Sequence, residues 1–225
     1  MDLLELIFDV EKIRKGLKAY DSPKRISMRE DNFVNSAITF LIMPYKTKPY
    51  DLVLIRRTKQ LNDKHSGEMS FPGGKFDQDL DKTYIDTALR ETEEELGIPR
   101  SHIRLLGCLD DHLTPKGFII TPFVAYIDQN ERLVRQEKEV REIVKVPVSF
   151  FANKKNFRER TYYIQNELIG VGKFKYKSPN GKKYVIFGAT SHIIVNFLDS
   201  IYKTGLMTPG CRRIRCADIR DKIVK

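Results

Sequence analysis

The stretch from Phe71 to Ile98 constrains the fold of this chain more than any other. It begins with a loop that contains two adjacent glycines, Gly73 and Gly74, and continues into a segment with helical periodicity. One side of the predicted helix carries apolar and small residues at steps of three and four, the pattern of a helix packed against a core. These residues are Ile85, Ala88, Leu89, Thr92 and Leu96. Gly97, followed by Pro99, predicts the end of the helix, because glycine favours the left-handed conformation that terminates helices and proline cannot continue one.

Three glutamates, Glu91, Glu94 and Glu95, share one face of this helix, since positions i, i+3 and i+4 lie within roughly 60° of one another. Like charges at that spacing repel by about 0.2–0.5 kcal/mol per pair, so stability alone gives no reason to place them together. A divalent cation reverses this, because carboxylate oxygens are hard ligands that Mg²⁺ and Mn²⁺ accept. The alternative is a solvated acidic face, which the apolar stripe on the opposite side disfavours.

The run ALRETEEELGI resembles the second half of the Nudix box, whose pattern in one-letter code is G-x5-E-x7-R-E-U-x-E-E-x-G-U, with U an aliphatic residue. The matching positions are Arg90, Glu91, Glu94, Glu95, Gly97 and Ile98. Thr92 occupies the aliphatic position.

The first half of the pattern is spaced differently in this chain. Gly74 lies two residues further from Arg90 than the pattern requires, and Lys82 stands where its first glutamate would be. A loop insertion before the helix accounts for this spacing. Asp81 or Asp79 would then replace the missing acid beside the arginine.

The segment HSGEMSFPGGKFDQD is similar to the coenzyme A diphosphatase branch of the Nudix hydrolases, which carries a G-x3-F-P-G-G element. The element is matched without a gap by Gly67, Phe71, Pro72, Gly73 and Gly74. Where the branch carries an upstream arginine this chain has Asn62, with Lys64 as the candidate replacement. The resemblance covers roughly residues 38–198.

This resemblance implies a diphosphatase, a hydrolase acting on acid anhydrides in phosphorus-containing compounds, with Mg²⁺ or Mn²⁺ as cofactor. The metal ligands would be Glu91, Glu94 and Glu95. Arg90 would orient them, and Glu94 or, from outside the box, Glu139 would take a proton from the attacking water, with Glu142 as the second choice to Glu139. The substrate phosphates would be bound by Arg56, Arg57, Lys64, Gly73, Gly74 and Lys75. The substrate would be coenzyme A or acyl-CoA, cut into 3′,5′-ADP and (acyl-)4′-phosphopantetheine.

Predicted strands and helices alternate along the chain without a regular βαβ rhythm, which favours an α/β fold with a mixed sheet. The resemblance implies the Nudix-type α/β/α sandwich, to which residues 3–20 add an N-terminal helix. We expect an accessory helix and connector at 1–30, a Nudix hydrolase domain at 31–204 and a basic C-terminal tail at 205–225. The tail is compatible with an appended helix, a disordered arm or a dimer contact. Residues 36–43 and 50–57 predict a hairpin or adjacent strands. Residues 189–202 predict a closing helix with Ser191 and His192 on or near its polar side.

The net charge is +10, from 40 basic and 30 acidic residues, which suits a polyanionic partner. Aromatic and basic residues alternate at residues 173–177, KFKYK, which we interpret as an edge strand rather than a nucleic-acid patch. A small nucleotide diphosphate is therefore favoured over nucleic acid as the partner, and a homodimer is compatible with the sequence. No apolar run of 18 or more residues appears, so no membrane span is predicted. Three irregularly spaced cysteines predict a reducing, cytoplasmic location.

Two other functions remain open. A different Nudix substrate, such as ADP-ribose, a dinucleotide polyphosphate, a nucleoside triphosphate or capped RNA, would use the same metal site and differ only in its pocket. A non-catalytic Nudix-fold module that binds RNA or protein would be indicated by loss of the metal-site glutamates, and all three are present.

Overall fold

A computed structural model describes residues 3–30, 32–58, 67–164 and 166–223 of the chain. Its α-helices are α1 (Val10–Gly16), α2 (Tyr84–Leu96), α3 (Val148–Ala152), α4 (Gly188–Tyr202) and α5 (Cys216–Ile223). Single 3₁₀ turns lie at Leu3–Leu6, Arg100–His102 and Lys154–Asn156. Its strands are β1 (Val34–Met43), β2 (Asp51–Arg57), β3 (Met69–Ser70), β4 (Gly73–Lys75), β5 (Arg104–Cys108), β6 (His112–Leu113), β7 (Phe118–Tyr126), β8 (Val140–Pro147), β9 (Phe157–Ile164), β10 (Glu167–Lys177) and β11 (Lys183–Phe187).

Within these ranges eight strands form a mixed central sheet with the order β3-β2-β1-β7-β5. Strand β4 also pairs with β1, β6 with β7 and β8 with β2. β1 and β7 run parallel, whereas β1 and β2 form the predicted antiparallel hairpin. The remaining three strands form a second, antiparallel sheet in the order β11-β10-β9.

The central sheet is covered on both faces, which explains why β1 is apolar along most of its length. On one face Phe40 stacks on Phe197 of α4, with ring centroids 4.4 Å apart. On the other face Leu41 and Met43 pack with Leu96 of α2. Helices on both sides of a mixed sheet make the α/β/α sandwich that the sequence predicted. No helix among the described residues is both long and apolar enough to cross a bilayer.

Two predictions in the C-terminal half were wrong. β10 carries KFKYK in the middle of the second sheet rather than at an edge, because β9 and β11 both pair with it. Ser191 and His192 are buried rather than polar-facing, because α4 packs against β10. The Ser191 hydroxyl donates to the Gly172 carbonyl at 2.7 Å, and the Gly172 amide donates to Nε2 of His192 at 2.7 Å.

The N-terminal connector is fixed to the edge of the central sheet. Lys18 and Cys108 exchange two backbone hydrogen bonds of 3.1 and 2.8 Å. Further along, the Arg25 guanidinium lies 2.6 Å from the Asp111 carboxylate, and both side chains are 2% exposed. Asp111 also accepts hydrogen bonds from the Met28 amide and the Thr121 hydroxyl. The predicted N-terminal helix is real but shorter than expected, since it begins only at Val10.

The C-terminal segment is an appended helix that packs on the domain, one of the three arrangements left open by the sequence. The Arg212 amide donates to the Leu168 carbonyl, and the Gly170 amide donates to the Arg212 carbonyl, so the segment extends the second sheet along β10. Ile219 of α5 then packs with Phe33.

Candidate active site

Helix α2 is held across β1 by a pair of buried threonines. The Thr92 hydroxyl donates to the Thr39 hydroxyl at 2.7 Å, and the Thr39 hydroxyl lies 3.0 Å from the Ala88 carbonyl. This explains why a threonine is tolerated at a position where the Nudix pattern has an aliphatic residue. Gly97 ends the helix as predicted, with φ at 66°. The acidic face of α2 is therefore fixed relative to the sheet.

The two glycines of β4 pair with β1 and leave little room for a side chain. Gly73 has φ at 151°, and a Cβ there would collide with the backbone of Ala37 and Ile38. A Cβ on Gly74 would collide with the carboxylate of Glu91. Gly73 therefore requires glycine, because its backbone conformation and its approach to β1 exclude any other residue, whereas a side chain at residue 74 would displace the Glu91 carboxylate.

Asp81 is the acid that pairs with Arg90. Its two carboxylate oxygens accept from Nε and Nη2 of Arg90, each at 2.9 Å, and the Thr87 hydroxyl donates to it at 2.8 Å. The carboxyl is almost fully buried, and its hydrogen bonds from Arg90 lower its pKa to about 2. The same pairing raises the pKa of the guanidinium. Asp79, the other candidate, is exposed.

Arg90 also reaches two of the predicted metal ligands. Its Nη1 donates to Glu91 at 2.8 Å and, less closely, to Glu94 at 3.3 Å. The arginine therefore links the loop acid to the helix acids, which is the arrangement of a charge-assisted hydrogen-bond network.

The three helix glutamates differ in exposure. The side chain of Glu94 is 57% exposed and that of Glu91 16%. Glu95 is only 1% exposed. Its carboxylate turns towards the glycine strand, β4, where it accepts a hydrogen bond from the Gly73 backbone amide with an N···O distance of 2.9 Å. Burial of Glu95 could not be read from the helical pattern, because it depends on how closely β4 approaches α2.

Burial makes the charged forms of Glu91 and Glu95 unfavourable. The pKa of Glu95 is raised to about 8, chiefly by burial and also by the charges of Glu91 and Glu139, while the hydrogen bond from the Gly73 amide and the charge of Arg57 act in the opposite direction. Desolvation also raises the pKa of Glu91, with contributions from Glu94 and Glu139. A concentration of carboxylates that is costly to ionise is typical of a site that receives a cation or a proton.

Glu139 and Glu142 have different surroundings. Glu139 lies close enough to the helix acids to raise the pKa of Glu91 and Glu95. Glu142 instead accepts hydrogen bonds from the Lys182 ammonium at 2.7 Å and the Tyr184 hydroxyl at 2.9 Å. Of the two candidates, Glu139 is the one near the acidic cluster.

Gln136 positions the loop that carries Glu139, a role that no pattern in the sequence indicated. Its backbone amide donates a hydrogen bond to the Glu95 backbone carbonyl at 3.1 Å. Its side-chain oxygen accepts hydrogen bonds from the backbone amides of Lys138 and Glu139 at 2.6 and 3.1 Å. A lone glutamine in a charged segment carries no periodic or motif signal, so only the folded structure identifies it.

The predicted substrate-binding residues are partly brought together. The charge of Arg57 lowers the pKa of Glu95. Arg56 is instead in register with Glu142 across the sheet, and its charge lowers the pKa of that acid. Lys75 lines an open cavity of about 490 Å³ beside Asp77, Asp79, Arg90 and Glu91. Lys64 lies outside the described residues. A larger cavity of about 570 Å³, lined by Phe8, Tyr45, Arg104 and Tyr126 among others, lies at the opposite end of β1 from the glycine strand.

The cluster fits a divalent cation in the chemistry of its donors, which are carboxylate oxygens, two of them from Glu91 and Glu95 with raised pKa values. Among the described residues no three acidic, histidine or cysteine side chains converge on one point. Glu91 is engaged by Arg90 and Glu95 by the Gly73 amide. Such a site suits Mg²⁺ or Mn²⁺, which commonly take only one or two protein carboxylates and fill the other positions with water and substrate phosphate.

The chain is an α/β/α sandwich protein in which the acidic face of α2 lies against the two glycines of β4. Comparison with known families identifies the family to which this fold and site belong. The NUDIX domain model matches residues 35–166, more than half of the chain, which therefore belongs to the NUDIX domain family. The matched range includes α2, the glycine strand and Glu139.

Curated relatives carry the same family name. The chain is 36% identical over 114 residues to the "Uncharacterized Nudix hydrolase NudL" of Yersinia enterocolitica, covering 51% of this chain and 58% of the relative. It is 36% identical over 127 residues to the protein of the same name from Photorhabdus laumondii, covering 56% and 64%. The chain thus spans less than two thirds of the length of these relatives.

Solved structures with a related outline include a MutT/nudix family protein from Enterococcus faecalis, with 18% identity and a TM-score of 0.48 over 80% of this chain and 66% of that one. The NUDIX domain of Shewanella oneidensis NrtR, solved with ADP-ribose, has 17% identity and a TM-score of 0.42 over 58% and 80%.

Proposed function

We propose that this chain is a divalent-cation-dependent Nudix hydrolase that cleaves the diphosphate bond of a nucleoside diphosphate derivative. The observation that carries the proposal is the network on α2. Asp81 fixes Arg90, and Arg90 in turn holds Glu91. Glu94 and the buried Glu95 stand beside them on the same helix face. A network of this kind keeps several costly carboxylates in place, which stability alone would not favour.

The chain's own residues have distinct roles in this proposal. Glu91, Glu94 and Glu95 would hold Mg²⁺ or Mn²⁺, which when bound would neutralise charge on the phosphoryl oxygens and make a water more acidic. Glu94, the most exposed of the three, or the nearby Glu139 takes the proton of the attacking water. Arg90 keeps the acids oriented, because its fork is already fixed by the loop acid.

Two basic residues near the cluster supply positive charge for the substrate phosphates. Lys75 follows the glycine pair and lines the same open cavity as Glu91. Arg57 lies close enough to Glu95 to lower its pKa. The narrow backbone of Gly73 and Gly74 allows a phosphate to approach the helix acids closely.

Coenzyme A or an acyl derivative is the substrate we propose within this class, and it is the resemblance of the GEMSFPGG segment that supports it. The close packing of that element gives a physical reason for its two glycines, since a Cβ at residue 73 would meet the β1 backbone and one at residue 74 would displace the Glu91 carboxylate. Cleavage at the diphosphate would yield 3′,5′-ADP and 4′-phosphopantetheine or its acyl form.

Product analysis tests both levels of the proposal. Purified protein is incubated with Mg²⁺ or Mn²⁺ and, in parallel, coenzyme A, ADP-ribose, diadenosine polyphosphates and nucleoside triphosphates, with EDTA as the control. We expect 3′,5′-ADP from coenzyme A and no product with EDTA. Cleavage of a different diphosphate would contradict the substrate but keep the hydrolase, and cleavage of none would favour a non-catalytic binding module.

Glu94→Gln tests the proposed proton acceptor against a neighbour on the same helix. We expect turnover to fall by about 10²–10⁴-fold, because a general base contributes that much, while the melting temperature is unchanged. Glu93→Gln is the matched control, since Glu93 is paired with Arg100 at 3.0 Å instead of with the network. Full activity of Glu94→Gln would remove this residue from the mechanism and leave Glu139 as the candidate.

A further inference from the structure

The second sheet has an exposed face on which the charged side chains are basic, apart from Glu167 at the far end of β10. Along β10, Phe174 and Tyr176 are buried, while the lysines between them turn to the other side. Cross-strand neighbours in β9 and β11 continue that side. We call this surface the basic face; it consists of Arg158, Arg160, Tyr162, Val171, Lys173, Lys175, Lys177, Lys183, Val185 and Phe187.

Like charges lie directly opposite one another on this face. Lys177 pairs in register with Lys183, and Lys173 pairs with Arg158. Like charges at opposing positions destabilise a sheet, so folding alone does not favour this arrangement. Across the described ranges no ion pair joins Lys173, Lys175, Lys177 or Lys183 to an acid. A bound polyanion would turn this repulsion into attraction.

Glu167, at the far end of β10, does not neutralise the surface. Its carboxylate lies 2.7 Å from the Arg212 guanidinium and 3.6 Å from that of Arg215, so cations of the C-terminal segment already compensate it. The Arg158 guanidinium donates to the carbonyls of Lys155 and Phe157, which leaves its charge in place.

Exposed aromatic and apolar groups lie among these cations. Tyr162 is 50% exposed, Phe187 44% and Val185 45%. Phe187 is in register with Lys173, which is in register with Arg158, so an aromatic ring and two cations form one row across the sheet. Rings beside cations on an open surface suit unpaired bases, since bases stack on aromatic side chains while lysine and arginine bind the phosphates.

We propose that the basic face binds single-stranded nucleic acid, separately from the proposed hydrolase site. A second copy of the chain would meet like charge with like charge, so self-association does not explain the surface. An acidic protein or an anionic membrane would use the cations but would give no reason for Tyr162 and Phe187 to remain exposed. Unpaired bases use both features.

The position of the basic face relative to the glycine strand is also fixed. β11 lies alongside β3, and the Thr190 hydroxyl, just after Phe187, donates to the Met69 carbonyl at 3.0 Å. The β11 edge of the face therefore adjoins the short strand that leads into Gly73.

The test is fluorescence anisotropy with a labelled 20-nucleotide uridine RNA, performed in EDTA so that binding is measured without hydrolysis. We expect the wild-type protein to bind and the logarithm of affinity to fall linearly with the logarithm of salt concentration. Lys173→Glu/Lys175→Glu/Lys177→Glu should lower affinity at least about 10-fold and reduce the salt slope by about 2, the value for three lost phosphate contacts at roughly 0.7 each. Lys15→Glu/Lys24→Glu/Lys145→Glu, exposed lysines of other elements, makes the same change in net charge and should have much less effect.

Adjacent tyrosines provide a second matched pair. Tyr162 belongs to the basic face, whereas Tyr163 is 78% exposed on the opposite side of β9. Tyr162→Leu should weaken RNA binding about 10-fold through loss of base stacking, but leave binding to heparin, which has no bases, unchanged. Tyr163→Leu should change neither.

Three outcomes would overturn the proposal. One is the absence of RNA binding at 50 mM salt. Another is an equal loss of affinity in the two lysine triple variants, which would mean that net charge alone is responsible. The third is binding to phosphatidylserine vesicles that competes with RNA at equal or higher affinity, which would assign the face to a membrane. Each result is independent of whether coenzyme A is hydrolysed.

Discussion

Replacement of Asp81 by asparagine is the most direct test of the network on α2. In the wild-type protein the Asp81 carboxylate accepts two hydrogen bonds from Arg90, one from Thr87 and one from the Asp77 amide. Asparagine removes the charge and turns one acceptor into a donor. Losing one partner of a buried ion pair lowers the free energy of unfolding by about 3–5 kcal/mol. We expect a loss near the lower end of this range, because Arg90 keeps its hydrogen bonds with Glu91 and Glu94.

The lowered pKa of Asp81 gives an independent value for the stability that its carboxylate contributes, and shows how that stability depends on pH. Lowering the pKa from 3.8 to about 2 corresponds to about 2 kcal/mol of stability from this carboxylate. Because the folded-state pKa is the lower one, this stability is fully present above about pH 4 and is lost as the pH falls towards 2. The free-energy difference between wild type and Asp81→Asn should therefore be about 2–3 kcal/mol at pH 7 and shrink below pH 4.

Urea denaturation followed by circular dichroism measures this difference. Asp79→Asn is the matched control, because Asp79 is an exposed acid of the same loop and should change stability by no more than about 0.5 kcal/mol. Turnover should fall in Asp81→Asn only, since Arg90 is no longer held. The reasoning would be refuted by equal stability losses in the two variants, or by a loss in Asp81→Asn that does not depend on pH.

Three further predictions concern the same cluster. Gly74→Ala should remove most of the activity with little loss of stability, because the new methyl group would displace only the carboxylate end of Glu91; wild-type turnover would contradict this. Glu95→Gln should stabilise the metal-free protein by about 2–4 kcal/mol at pH 8 but not at pH 4, because a folded-state pKa raised from 4.5 to about 8 makes wild-type stability fall as the pH rises between those values; thermal melts in EDTA at both pH values measure it. Glu139→Gln should lower turnover, by at least about 10²-fold if Glu139 rather than Glu94 takes the proton, whereas Glu142→Gln should not, and equal effects in steady-state assays would mean that proximity to the helix acids is irrelevant.

Local patterns were sufficient to predict the elements that carry the site. The stripe from Ile85 to Leu96 gave α2, and Gly97 gave its end, because a helix packed on one face has a fixed period and a recognisable stop. The hairpin of β1 and β2 followed from two β-rich segments separated by turn residues. These features depend on residues that are neighbours in the chain.

Features that depend on distant packing could not be predicted in this way. The choice of Asp81 over Asp79 is made by the path of the loop before α2, and the burial of Glu95 by the approach of β4. The edge assignment of KFKYK failed for the same reason: alternation shows that Lys173 and Lys177 share a face, but not which strands lie on either side.

The connector at residues 18–28 changes what should be regarded as the folding unit. Asp111 lies inside the range matched by the family model. Two of its partners lie outside that range: Arg25, which neutralises its charge, and Met28, whose backbone amide donates a hydrogen bond to it. A fragment limited to residues 35–166 would retain a buried carboxylate without its counter-ion, and would also lack α4, which covers one whole face of the central sheet. We therefore propose that the boundary expected near residue 30 does not separate two independently folding domains. A fragment designed to contain the minimal catalytic core should begin before Lys18 and continue beyond Tyr202.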